Sequence, residues 1–241
     1  NSKEIALATT VNDIVSNQRQ GKISAILTLE EGGVINGDLR KLEELYNDGT
    51  RLVTLLWNFE NCMGYPNSSD RRIMEQGLKP FGFETVERMN DLGMLVDVSH
   101  MSDGGFWDVI RTSKKPIVAS HSSARSLCSH PRNLTDEMLR ALGKNGGIAA
   151  LNFYPAFIRE DQKASKEDLA AHIKHMVNVA GIDAVAIGTD YDGFEGGELE
   201  INKVEKMPLL YQALQKEGFT ESQLEKIWFR NVMRVLKEVI K

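Results

Sequence analysis

Gly93-Met94-Leu95-Val96-Asp97-Val98-Ser99-His100 and Pro116-Ile117-Val118-Ala119-Ser120-His121 are two apolar runs, and each closes on a histidine. Residues 103–112 lie between them and read as a helix, so the two runs are consecutive strands of a βα repeat. Parallel strands that carry imidazoles at their C-terminal ends aim them into one mouth, which is where α/β barrels build active sites. Two neutral imidazoles converging on such a rim suit a transition-metal ion.

Working outward, the pattern repeats. Apolar runs at 23–30, 52–57, 95–100, 117–121, 148–153 and 184–190 predict strands. Helices are expected at 38–46, 80–92, 103–112, 135–144, 166–180, 207–217 and 221–241. Thr135 and Ser165 stand before acidic first turns, as helix N-caps do, and Gly93, Gly146 and Gly181 fall where helices must stop. Residues 1–20 read as a polar helix with no run able to supply a strand. The expected fold is α/β: a (β/α)8 TIM barrel of metal-dependent hydrolase type, with residues 1–241 as a single partial barrel domain. Six strands against the barrel's eight lead to the expectation that about the first two βα units lie outside this sequence.

The chain is 241 residues long with a net charge of −5, which argues against a nucleic-acid partner, since that needs a basic footprint. Two cysteines, Cys62 and Cys128, give no disulfide framework, and without a C-x-x-C pair they make no thiolate metal site. No apolar run is long enough to span a bilayer, and no signal-peptide core opens the sequence, so a cytoplasmic location is expected.

The strand ends carry the chemistry. They offer Glu30-Glu31-Gly32-Gly33, Trp57-Asn58, His100, His121, Asn152-Phe153-Tyr154 and Asp190-Tyr191-Asp192-Gly193. A glutamate with two histidines is a metal-binding set, and a further carboxylate nearby can act as general base. Each residue alone has a plainer reading: Glu30 as a carboxylate at a helix start, Asp190 and Asp192 as turn caps before Gly193. His172 and His175 lie one helical turn apart and are expected on an outer surface. His130, before Pro131, reads either way.

Leu95-Val96-Asp97-Val98-Ser99-His100, Ser120-His121-Ser122-Ser123-Ala124, Pro131-Arg132-Asn133-Leu134 and Gly188-Thr189-Asp190-Tyr191-Asp192-Gly193 together resemble the membrane (renal-type) dipeptidase family. The resemblance implies a zinc-dependent dipeptidase with two zinc ions bridged by a glutamate and a hydroxide. It implies Glu30, His100 and His121 as metal ligands, with Glu31 a rival for the bridging place. Strand alternation favours Glu30, two residues after Thr28 on the same face. Asp190 resembles the catalytic acid/base. Arg132 resembles the anchor of the substrate carboxylate, a role that suits a planar bidentate donor. Asn58 and Tyr154 are the remaining candidate substrate contacts.

Two features depart from the family. The His-x-Asp motif of its first strand, which supplies the other zinc, does not occur here. Trp57-Asn58 stands where well-studied members carry a substrate-contacting histidine. The expected substrate is a small dipeptide with a free C-terminal carboxylate, and a homodimer is expected by resemblance alone. The alternatives are another metal-dependent amidohydrolase, acting on N-acyl amino acids or a cyclic amide, and a non-catalytic relative that acts as a binding protein.

Overall fold

Short parallel strands, most of them followed by a helix, build this chain; the computed structural model describes residues 3–240. They divide into two units, one running to Ile117 and resuming at Met233, the other Val118–Val232.

The first unit contains β1 (Ile5–Leu7), α1 (Val11–Arg19), β2 (Ile23–Ala25), β3 (Leu27–Glu30), α2 (Leu39–Asn47), β4 (Thr50–Thr54), α3 (Arg71–Met74), α4 (Pro80–Leu92), β5 (Leu95–Asp97) and α5 (Asp103–Thr112). β1 pairs with β2, and β3, β4 and β5 pair in sequence, all in parallel. Their register sets Glu30 beside Thr54 and Thr54 beside Asp97, one row across the C-terminal strand ends.

The second unit runs β6 (Val118–Ala119), α6 (Asp136–Asn145), β7 (Ile148–Leu151), α7 (Pro155–Ile158), β8 (Lys163–Ala164), α8 (Lys166–Ala180), β9 (Val185–Ile187), β10 (Glu198–Leu199), α9 (Met207–Lys216) and α10 (Glu221–Glu225). β6, β7 and β9 pair in parallel, with Ala119 beside Ala149 and Ala149 beside Val185. A further helix, α11 (Asn231–Val239), ends the chain.

Every residue of β5 and of β7 is buried, which is why β7 is a continuous apolar run and β5 is apolar up to the buried Asp97 that ends it. Leu55, Leu56 and Leu151 are wholly inaccessible, positions where Leu→Ala costs about 2–5 kcal/mol. The helix ends follow local chemistry. Ser165 and Asp168 form a reciprocal capping box, Thr135 accepts from the Met138 amide, and Gly93 and Gly146 close α4 and α6 in the left-handed conformation.

The structure corrects several expectations. Residues 1–20 do supply a strand, β1, whose three residues are too few to show a period. The expected strand at 23–30 is two strands, parted at Ile26. The expected helix at 221–241 is interrupted by a π-turn over Lys226–Arg230, and Lys241 lies outside the described residues. Strands expected to end on His100, His121 and Asp190 stop two or three residues earlier, because those side chains sit in the turns that follow. Among the described residues no helix is long and apolar enough to cross a membrane.

Candidate metal centre and active site

In the first unit the site begins at the end of β5. Asp97 is inaccessible to solvent; its Oδ2 accepts from Thr54 Oγ1 (2.7 Å) and its Oδ1 from the Ser99 amide (3.0 Å). This Asx-type turn swings the chain out of the strand, and His100 follows with φ +68°, a left-handed conformation rarely adopted outside glycine. Such backbone costs about 1–3 kcal/mol and persists only where its surroundings hold it. Asn67 does so: its backbone amide (2.7 Å) and Nδ2 (3.1 Å) both donate to the His100 carbonyl.

The ring is fixed as well. His100 Nδ1 lies 3.0 Å from Asn58 Oδ1, and Nε2 lies 3.0 Å from Glu30 Oε1. An amide oxygen can only accept, so the hydrogen sits on Nδ1 and the Nε2 lone pair is turned to the carboxylate. Two electron-rich atoms facing each other at that distance call for a cation or a proton between them. Glu30 and His100 therefore fit a metal by the chemistry of their donor atoms. Glu31 is engaged elsewhere: Oε1 accepts from the Gly33 amide (2.6 Å) and Asn61 Nδ2 (2.8 Å), and Oε2 from the Trp57 amide (3.1 Å).

In the second unit His121 is buried just past β6, with Nδ1 2.7 Å from Ser120 Oγ. Asp190 follows β9 with φ +60°, and Asp192 has φ +68°. Asn152, fully buried after β7, donates from Nδ2 to Asp190 Oδ2 (2.9 Å) and accepts at Oδ1 from the Tyr154 amide (2.6 Å). Two glycines make room for this turn. A Cβ on Gly193 would strike the Asp190 carboxylate, and one on Gly188 would strike the Ser120 carbonyl oxygen. The buried Arg132 sets its guanidinium 5.3 Å from the centre of the Phe157 ring and lies 3.4 Å from the His121 carbonyl oxygen. Tyr154 packs on the same Phe157 and stacks on Phe194.

Glu30, His100 and Asn58 thus meet in one unit, and Asp190, Asn152 and Tyr154 are linked in the other. The roles of Asp97, Asn67 and Asn152 in holding this constellation were missed from sequence; the Asp97-Val98-Ser99 turn signal could have revealed the first. His172 corrects an expectation. It is buried, not on an outer surface: Nδ1 accepts from the Ala124 amide (3.2 Å) and Nε2 donates to the Ile158 carbonyl (3.0 Å). His175, partly exposed, pairs with Asp136 (2.8 Å). His130 packs on Phe157 and its Nδ1 accepts from the Arg132 amide (3.2 Å); burial, then the nearby Arg132 and Arg125 charges, push its imidazole below the ordinary value.

Strand-end carboxylates and imidazoles on parallel α/β units define the metal-dependent hydrolase class. The family model for membrane dipeptidase (peptidase family M19) matches residues 1–241, and the chain belongs to that family of metallopeptidases, hydrolases of the peptide bond. It is 36% identical over 232 residues to an uncharacterized protein in the pqqA 5' region of Klebsiella pneumoniae, covering 92% of this chain and 84% of that protein. It is 36% identical over 229 residues to an uncharacterized dipeptidase of Schizosaccharomyces pombe, covering 93% of this chain and 55% of that protein, so the chain spans just over half of that relative's length. The structure is similar to that of a metallo peptidase from Rhodobacter sphaeroides liganded with a phosphinate mimic of the dipeptide L-Ala-D-Ala. The TM-score is 0.90 at 28% identity, over 98% of this chain and 69% of that one.

Proposed function

We propose that this protein is a zinc-dependent dipeptidase that hydrolyses the single peptide bond of dipeptides bearing a free C-terminal carboxylate. The observation that carries the reading is the Glu30–His100 contact, with Asn58 fixing the tautomer that turns the Nε2 lone pair toward the carboxylate. Glu30, His100 and His121, one ligand atom from each, are the proposed metal ligands, and a carboxylate with two imidazoles suits zinc. A metal held there supplies Lewis-acid polarisation of a carbonyl and lowers the pKa of a bound water.

The other roles belong to the chain itself. Asp190, oriented through Oδ2 by Asn152, takes the proton of the attacking water at its carboxylate and passes it to the leaving amine. Arg132, stiffened against Phe157, pairs its guanidinium with the substrate's terminal carboxylate, which favours short substrates over longer chains. Tyr154 and Asn58 are the further proposed substrate contacts. The likeness to a metallo peptidase crystallised with a dipeptide mimic supports this substrate class.

The test is metal content by mass spectrometry together with a substrate panel of L,L- and L,D-dipeptides, tripeptides and N-acyl amino acids. Bound zinc with hydrolysis confined to dipeptides is the expected result. Preferred cleavage of N-acyl amino acids, or full activity after chelation, would overturn it.

A further inference from the structure

Beside the donor pair of the first unit stands an apolar feature that the reaction scheme leaves unused. Trp57 and Phe59 pack edge to face with ring centroids 5.5 Å apart, and the Trp57 ring lies 6.4 Å from that of His100. Neither ring is spent on the core: Trp57 is 39% exposed and Phe59 65%. Isolated exposed aromatics are ordinary on protein surfaces, but this pair is held in place. The Trp57 amide donates to Glu31 Oε2 and Asn58, between the two rings in sequence, bonds His100. The backbone that carries the rings is thus tied to His100 and to Glu31, the residue after Glu30. Aromatic area kept wet next to a polar reaction centre is area available to a substrate.

We infer that Trp57 and Phe59 form an apolar wall that receives the side chain of the dipeptide's amino-terminal residue and makes the enzyme selective for large apolar groups there. The inference rests on the dipeptidase reading above. In a dipeptide the scissile carbonyl belongs to the amino-terminal residue, so its Cα is one bond from the carbon under attack and that of the other residue two bonds away. Rings beside a ligand of the polarising metal therefore face the amino-terminal side chain first. A tryptophan can neither donate nor accept a proton for this chemistry as an imidazole could, so its contribution is contact area.

The experiment compares kcat/KM for Phe-Ala, Leu-Ala, Ala-Ala and Ala-Phe, using the full-length zinc-loaded protein and its Trp57→Ala and Phe59→Ala variants. Wild type should favour Phe-Ala and Leu-Ala over Ala-Ala. In both variants that preference should fall on the order of tenfold, with the loss mainly in KM. The exposed Phe59 keeps the test decisive if Trp57→Ala fails to fold. An unchanged Phe-Ala to Ala-Ala ratio in an active Phe59→Ala enzyme overturns the wall, as does a shift confined to Ala-Phe. Wild type that cleaves none of the four overturns the dipeptidase reading and the wall with it, a result distinct from activity without selectivity.

Discussion

His100 and His172 are both buried imidazoles, yet they are built for opposite purposes. His172 gives both nitrogens to main chain, one to the Ala124 amide and one to the Ile158 carbonyl, so it fastens the Ala124 segment and the end of α7 to α8 and has no ligand capacity left. His100 has one nitrogen backed by a side-chain amide and the other turned to a carboxylate, on backbone held in a left-handed turn. A histidine sealed by two backbone groups is a structural cross-tie. One steered by a side chain toward an acid has the arrangement that the proposed metal role requires.

The strongest way to break this contrast is His100→Ala. It should abolish stoichiometric metal binding and lower dipeptide hydrolysis by about 10³-fold or more. Retained metal and activity would strip His100 of its role. Asp190→Asn separates ligand from proton carrier: kcat should fall by roughly 10²–10⁴-fold while metal content stays at the wild-type level.

His172→Leu should do the reverse, leaving metal content and kcat of the folded enzyme intact. Orphaning the Ala124 amide and the Ile158 carbonyl should cost about 1–3 kcal/mol each in urea unfolding. The same residue has a pH signature. Burial first, and then the neighbouring His175 charge, push its pKa from 6.5 to about 4 against the opposing pull of the Ile158 carbonyl and Asp168. The unfolded chain therefore takes up the proton that the folded one refuses. Stability from this site is complete above about pH 6.5 and declines as the pH falls toward 4, by at most roughly 3 kcal/mol. The variant should lack that component of the pH–stability curve, and an identical curve would show that His172 is not held neutral. The smallest effect is expected from Asn58→Leu, which frees the His100 tautomer and should weaken zinc affinity on the order of tenfold, measured by competition with a chelator.

Much of this was legible from residues alone, for identifiable reasons. β5 and β7 are buried on both faces, so β7 is an unbroken apolar run and β5 is apolar up to Asp97, and hydroxyl caps and left-handed glycines marked α6, α8 and α4. Alternation favoured Glu30 over Glu31, and the two carboxylates have different partners, His100 for Glu30 and the Gly33 amide and Asn61 for Glu31. What escaped depends on distance along the chain. Asn58 finds His100 42 residues away, and His172 is claimed by Ala124 and Ile158, 48 and 14 residues distant. No local period records such pairings. β1 escaped because three residues cannot establish alternation, and the strand ends were overshot because an apolar run does not disclose where a left-handed turn begins.

The close approach of Gly188 to the Ser120 carbonyl bears on anyone reshaping this enzyme. A library randomised across positions 187–193 should return glycine at 188 almost without exception, even under selection for a new substrate. Any larger residue would wedge against the peptide just ahead of His121. Diversity is better spent at Phe59, where a change meets solvent rather than a neighbouring strand.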